Sequence, residues 1–284
     1  MNDFPKITPM GERGILIEFE PEISERLLRK LLFYKNKLEE FYDEVNVEVI
    51  NTYNSLLISY MFSIENVYNE VSAIKELFGE AKIGKINNQQ IFHLPVCYEE
   101  EFGWDLEYIS KEKKLSKEVI IQLHTKPFYT VLFTGCLPGF LYLGGLDEKL
   151  QISRRNEPRM KIEKGAVGIG ENQTGIYPKS SPGGWQILGN CPVQFFDKNN
   201  DPPCEILAGD KVKFYSVSKE EFEEKRFEFH KELSEDFFAS YRIEKVQTYI
   251  VRKGDNIWTL SKEKFDVPLW LIKKYNADLN FGAL

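Results

Sequence analysis

Read for alternation of apolar and polar positions, the first ninety residues divide into short elements. ERGILIEFE (Glu12–Glu20) alternates apolar and charged residues and predicts a half-buried strand. SERLLRKLLFYKNKLEEFYD (Ser24–Asp43) places leucines at helical spacing behind a serine that can accept from the first free backbone N–H groups, so a helix is expected. VNVEVINTYNSLLISYMF (Val45–Phe62) reads as two strands around an Asn-rich turn. IENVYNEVSAIKELFGEA reads as a second amphipathic helix ending near Gly79, and NQQIFHLPVCY (Asn88–Tyr98) as a closing strand. A β-α-β-β-α-β order predicts a ferredoxin-like domain over residues 1–90.

The texture then changes. Asp105–Lys126 carries two short helical patterns, the second capped by Ser116. Of the 19 glycines, eleven fall between Gly135 and Gly189. Brief apolar runs (YTVLFTG, GAVGIG, PVQFF) alternate there with Pro/Gly turns, which predicts a closed or nearly closed β-barrel over residues 91–216. Val217–Arg242 is a charged amphipathic helix within a linker at 217–245. Val246–Asn276 looks like an independent module of one strand and two helices, within a unit at 246–284. The fold class expected is α+β.

Composition narrows the function. The chain has 284 residues, is 42% hydrophobic and 29% charged, and carries a net charge of -7, which disfavours a general binder of nucleic acid or anionic membrane. No apolar run reaches the ~18–20 residues of a spanning helix. The N-terminal stretch lacks an apolar signal core, and four cysteines without CxxC spacing point to a reduced, cytoplasmic protein. Three scattered histidines predict no metal site.

Candidate chemistry concentrates in three glycine-rich clusters. TGCLPGFLYLGGL (Thr134–Leu146) turns at Pro138-Gly139, with Phe140 and Tyr142 pointing the same way if a strand resumes. SRRNEPRMKIEKGAVGIG (Ser153–Gly170) holds Arg154, Arg155 and Arg159, whose planar forks suit carboxylates and phosphates; pairing with Glu157 and Glu163 is the alternative. GENQTGIYPKSSPGGW (Gly170–Trp185) adds Gln173, Thr174, Tyr177 and Ser181 as neutral donors and acceptors, or as groups that satisfy an irregular backbone. Gly183-Gly184 permits close chain approach to a ligand or a neighbour, and Trp185 is expected to pack rather than to contact a ligand. Leu150–Pro192 carries six basic and three acidic residues, which favours an anionic guest. His124 is expected to be structural, and Cys136 and Cys191 to be core thiols.

GCLPGFLYLGGL, followed by PRMKIEKGAVGIGENQTGIYPKSSPGGWQILGNCP, resembles the family variously called the B component of 5-oxoprolinase, kinase-A inhibitor or allophanate hydrolase subunit 1. GERGILIEF, TYNSLLISY and LPVCYEEEFGWDL extend the likeness over roughly residues 7–225. The resemblance implies that the second domain is a cyclophilin-like β-barrel. It also implies that the chain acts with two partner subunits, the C and A components of 5-oxoprolinase, to cleave 5-oxoproline to glutamate at the expense of ATP. Arg154, Arg159, Gln173 and Tyr177 are then candidates for stabilising charge on the lactam oxygen. Pro138, Gly139, Phe140, Arg155, Thr174, Ser181, Gly184 and Trp185 are candidates for shaping the substrate pocket. One branch of the family inhibits a sporulation histidine kinase instead, which supplies the alternative function. The sequence departs from the usual pattern at Cys136, at Glu171-Asn172, and at Asn190-Cys191, where Arg-Thr is usual.

The tail is similar to a LysM module: YIVRKGDNIWTLSKEKFDVPLWLIKKYN matches its opening strand and helices, and the copy lacks a closing strand. Such modules bind N-acetylglucosamine glycans, and a docking or vestigial role is preferred over glycan binding here.

Overall fold

A computed structural model describes residues 5–42, 47–78, 89–200 and 203–226, all within one compact unit. The N-terminal part is a four-stranded antiparallel sheet with two helices. Its elements run β1 (Lys6–Pro9), β2 (Gly14–Glu18), α1 (Glu25–Phe41), β3 (Val47–Asn51), β4 (Ser55–Tyr60) and α2 (Val67–Leu77), and the strand order is β1-β2-β4-β3. The Ser24 hydroxyl caps α1 by accepting from the Leu27 N–H, and Asn66 caps α2 in the same way through Asn69. Leu27, Leu31, Tyr34 and Leu38 recur along one face of α1 and join Ile15, Ile17, Leu56, Ile58 and Ile74 in a buried core. Each such side chain stabilises the fold by roughly 1.5–3 kcal/mol.

The ferredoxin-like expectation needs one correction. The strand expected to close this sheet does not enter it. Instead β1, from KITP, pairs with β2 from Lys6↔Glu18 to Pro9↔Ile15 and takes the outer place beside it. Pro9 ends an edge strand, where a missing N–H costs no ladder bond.

The expected closing strand, β5 (Ile91–Cys97), opens a closed seven-stranded barrel. Its companions are β6 (Tyr129–Thr134), β7 (Leu141–Gly144), β9 (Ala166–Gly170), β10 (Gln173–Ile176), β12 (Gln186–Asn190) and β13 (Lys211–Val217), ordered β10-β7-β6-β13-β5-β12-β9. β8 (Arg159–Ile162) and β11 (Ser181–Gly183) form a separate two-stranded ribbon. β5 runs parallel to β13 over seven residue pairs, so the chain's first and last barrel strands close the barrel side by side. α3 (Leu106–Lys113) and α4 (Lys117–Thr125) follow β5, the second capped by Ser116.

PVQFF, expected as a strand, is irregular chain, with Phe195 buried in the barrel core and Phe196 against the Pro138-Gly139 turn. Residues 219–226 are helical and start in a reciprocal cap: the Glu221 N–H donates to the Ser218 hydroxyl, and the Ser218 N–H to the Glu221 carboxylate. The rest of the expected 217–242 helix and the LysM-like unit lie outside the described residues. No described helix is long and apolar enough to cross a membrane.

Candidate functional site

Period-two alternation gives the β9–β10–β7 sheet two faces with different jobs. Inward go Val167, Ile169, Thr174, Ile176, Leu141 and Leu143, the hydrocarbons among them joining the barrel core. Outward go Gly168, Gly170, Gln173, Gly175 and Tyr142.

The outward glycines are a bed for one ring. A Cβ on Gly170 would stand 2.6 Å from the Trp185 indole, one on Gly175 2.9 Å from it, and one on Gly168 3.2 Å from the Trp185 Cβ. The glycine-rich signature therefore lets a tryptophan lie flat on a sheet, and Trp185 packs as expected. Phe140 meets Trp185 and Tyr177 edge-on at 5.5 and 5.0 Å, and Tyr142 approaches Trp185 at 5.9 Å. Phe140 and Tyr142 share this face. Gly139 turns the chain at φ +81°, where a Cβ would also meet Phe196 at 2.7 Å.

The three arginines divide. Arg159 holds Asp105 with both ends of its fork, at 2.9 and 2.7 Å, and Arg155 adds a third bond at 3.3 Å. Asp105 is buried and also accepts from the Ile187 N–H at 2.6 Å. It occupies the N-cap position of α3 yet makes no cap bond, because its carboxylate is turned to these partners. The alternative to an anion site, solvation or pairing with Glu157 and Glu163, is not what forms for Arg155 and Arg159: Asp105 takes both, and Glu163 pairs with Lys161. Arg155 and Arg159 thus converge on an internal carboxylate, not on an open anion site.

Arg154 is left for other work. The Arg155 N–H bonds the Gly184 carbonyl at 2.7 Å, and Gln186 Nε2 bonds the Ser153 carbonyl at 3.1 Å, so the backbone on both sides of Arg154 is pinned. Its side chain is half exposed, lies over the Trp185 ring at 5.7 Å, and reaches Glu171 at 3.9 Å.

Gln173 faces outward beside Gly170 and is buried. Its Oε1 accepts from the Tyr53 hydroxyl, carried on the β3–β4 turn of the N-terminal sheet, and its Nε2 is buried without a partner. Tyr53 stands edge-on to Phe133 and Tyr142 at 4.6 and 5.8 Å. A buried bond from Asn51 Nδ2 to the Leu132 carbonyl, at 3.1 Å, fastens the same turn to the barrel. Burial holds the hydroxyls of Tyr53, Tyr142 and Tyr177 up at about 12, so all three are neutral phenols at ordinary pH.

Other expected site residues fall elsewhere. Thr174 is inside the barrel: its hydroxyl donates to the Gly168 carbonyl at 2.9 Å and stands 2.9 Å from His124 Nε2. Since that hydroxyl has used its proton, His124 donates from Nε2 and accepts at Nδ1 from the Tyr98 hydroxyl, 2.7 Å away. Burial pushes the imidazole down to about 3, which makes it a neutral core group. Ser181 sits on the β8–β11 ribbon and bonds only the neighbouring Pro182 carbonyl at 3.3 Å among the described contacts. Gly184 contributes its carbonyl to Arg155, and Pro138 is exposed on its turn.

Cys191 is a buried thiol as expected. Cys136 is not: it is exposed, at φ +64°, with its thiol against the Tyr142 hydroxyl. Sequence reading missed Asp105, which looks like any helix-capping acid, and Tyr53, whose role depends on two domains meeting. A separate cleft of about 490 Å³ lies beside Trp104, Lys164, Asn190 and Arg226 and holds none of the expected site residues.

A two-domain unit whose barrel carries an aromatic platform against the β3–β4 turn of its companion sheet matches a known family. Residues 5–206 match the carboxyltransferase domain, subdomain C and D, and the chain belongs to that family. Among its relatives, the B component of 5-oxoprolinase from Haemophilus influenzae is 39% identical over 208 residues, covering 73% of this chain and 96% of the relative. The protein of the same description from Bacillus subtilis is 34% identical over 227 residues, covering 76% and 95%. Of solved structures, that of TTHA0988 superposes with a TM-score of 0.62 at 29% identity, over 72% of this chain and 40% of that one. The Kluyveromyces lactis urea amidolyase structure, at 20% identity and TM-score 0.63, shares the fold over 82% of this chain and 17% of its own.

Proposed function

We propose that this chain is one subunit of an ATP-dependent 5-oxoprolinase, active only with its C and A components, that holds the lactam at the outer face of its barrel. The observation that carries the reading is the match to the B component of 5-oxoprolinase across 96% of the relative's length. The geometry of the Trp185 face is consistent with it.

The net reaction adds water across the lactam C–N bond of 5-oxo-L-proline to give L-glutamate, with ATP hydrolysed to ADP and phosphate. A small lactam with a carboxylate needs one cation, a flat apolar wall and polar groups fixed before it arrives, since donors held in place cost no reorganisation at reaction. Arg154 supplies the cation, the half-buried Tyr142 the wall with Trp185 packed beside it, and Gln173 the fixed polar group. Arg159 acts through Asp105 as a positioning residue for the loop that carries Arg154. Tyr177 braces Trp185 from beneath, its hydroxyl bonded to the Trp185 backbone.

A triphosphate does not fit this face. Two of its three arginines are committed to Asp105, whose single carboxylate leaves that trio at +1 with its forks turned inward, and one half-exposed guanidinium stays free to turn. Nucleotide handling therefore falls to a partner subunit. Histidine-kinase inhibition gains no support from any feature of the described residues.

The test is ATP-dependent glutamate release from 5-oxo-L-proline by this chain mixed with the A and C components. Release that requires all three proteins is the expected result; none, from a complex that assembles, overturns the reading.

A further inference from the structure

The carboxamide of Gln173 is one of three buried side-chain groups left partly unpaired among the described residues. It is 4% exposed, and its Nε2 has neither a protein partner nor access to solvent. Leaving such a donor unmade costs about 1–3 kcal/mol. Turning the amide over does not help: Tyr53 would then pair with Nε2, and Oε1 would be the orphan. Its Oε1 takes the Tyr53 hydroxyl and, beside the Asn51–Leu132 bond, helps to join the two domains, which leaves Nε2 as the end with no structural use among the described contacts. Arg155 Nε and Gln186 Oε1 are also unpaired, on side chains that hold Asp105 and the Ser153 carbonyl; Gln173 differs in standing on the sheet face that carries Tyr142 and the glycine bed of Trp185.

The surroundings of Gln173 define what would satisfy it. A primary carboxamide presents an N–H donor and a carbonyl acceptor side by side, and its carbonyl keeps a second lone pair after Tyr53 has bonded to the first. A secondary amide held cis in a ring, with N–H and C=O on the same edge, matches both at once, as a primary carboxamide does. Arg154, over Trp185 on the same glycine bed, is held by nothing stronger than the 3.9 Å contact to Glu171 and the indole face among the described contacts. A half-exposed guanidinium on such weak restraint can turn to a carboxylate.

We infer that Gln173 and Arg154 form a two-point recognition site for a small lactam bearing a carboxylate, Gln173 reading the ring amide and Arg154 the acid, where the β3–β4 turn covers the outer face of β10 and must yield to admit the ring. The inference rests on the proposed 5-oxoprolinase reading for the choice of compound, and on the Gln173 amide edge and the Arg154 cation for the chemical groups it must carry. It adds what that reading lacks: which atoms tell the lactam from an ordinary amino acid. L-Proline has the ring and the acid but no ring carbonyl, and 2-pyrrolidinone has the amide but no acid. Each should lose one of the two points.

Cys136 makes the site observable without turnover. Of the four cysteines it is the exposed one; Cys97 and Cys191 are buried and Cys204 is half-buried. Its thiol touches Tyr142, whose ring is 5.8 Å from that of Tyr53. The experiment uses the full chain alone and measures the rate at which a disulfide reagent labels Cys136, with isothermal titration in parallel.

Saturating 5-oxo-L-proline should slow labelling at least fivefold, with 2-pyrrolidinone binding at least tenfold more weakly and L-proline giving no protection. Gln173→Met, which keeps the length and removes both polar atoms, should weaken 5-oxo-L-proline at least tenfold without lowering thermal stability. Gln173→Glu, which sets an anion against the carbonyl, should abolish binding. Equal protection by proline, or an unchanged Kd in both variants, overturns the inference. The complex separates the two ideas: turnover with an unchanged KM in Gln173→Met leaves the 5-oxoprolinase reading standing and removes this site. Lactam binding through Gln173 in a complex that releases no glutamate does the reverse.

Discussion

Thr174 and Gln173 are neighbours on β10, and they face opposite ways into opposite kinds of environment. Thr174 points into the barrel, where its hydroxyl, the His124 imidazole, the Tyr98 hydroxyl and the Gly168 carbonyl satisfy one another. Gln173 points out against Trp185 and Tyr53 with one polar atom paired and one left over. Polar groups on the inner face complete a core, and a core tolerates none unpaired. On the outer face the same strand keeps a donor ready but unused, and carries that cost where a ligand can repay it. The difference separates residues that make the barrel from residues that the barrel presents.

Removing Asp105 should damage the outer face most. Asp105→Ala leaves the Arg155 and Arg159 guanidinium groups and the Ile187 N–H without their acceptor, and is expected to cost about 3 kcal/mol in urea unfolding. The inner face answers instead to acid. His124 is held neutral in the fold with its pKa lowered to about 3 from 6.5. The unfolded chain takes up that proton first, so the contribution is complete above about 6.5 and is lost as pH falls towards 3. Between those limits the expected slope is about 1.4 kcal/mol per pH unit. It is measured as the difference between the wild-type protein and His124→Gln.

Gly170→Ala sets a methyl 2.6 Å from the Trp185 indole and should cost roughly 2 kcal/mol. Lactam protection of Cys136 should be lost with it, while the His124 pH slope stays intact. The smallest effect has the opposite sign. Glu171 takes φ +60° in the two-residue β9–β10 turn, a conformation that glycine adopts freely. Glu171→Gly should therefore stabilise by about 1 kcal/mol in thermal unfolding. It also frees Arg154 from its one carboxylate, and should tighten lactam binding slightly.

Much of the fold was legible because local chemistry agreed with the tertiary result. Ser24 and Ser116 cap the helices they precede, the leucines of α1 form its buried face, and the Asn-rich turn separates β3 from β4. β5 was assigned to the wrong sheet because alternation reports that one face is buried and not against what. KITP was passed over because a proline in four residues carries little strand signal, though an edge position accepts it. PVQFF is apolar for the same reason as a strand, yet it packs as irregular chain under the Pro138 turn.

At the site, the cluster of arginines was legible and their division was not. Asp105 is about fifty residues away in sequence, and only the fold brings it beneath Arg155 and Arg159. Thr174 and Gln173 looked alike as polar loop residues; strand parity, invisible until the hairpin register is known, sends one in and the other out.

The contrast between those two residues has a direct measurement. In the full chain titrated with 5-oxo-L-proline, side-chain amide resonances of Gln173 and the imidazole resonances of His124 can be followed together by NMR. The account predicts a saturable shift of the Gln173 amide pair, with the His124 imidazole unmoved. A Gln173 amide that stays put while 5-oxo-L-proline binds elsewhere, or a shift that L-proline reproduces in full, would contradict it.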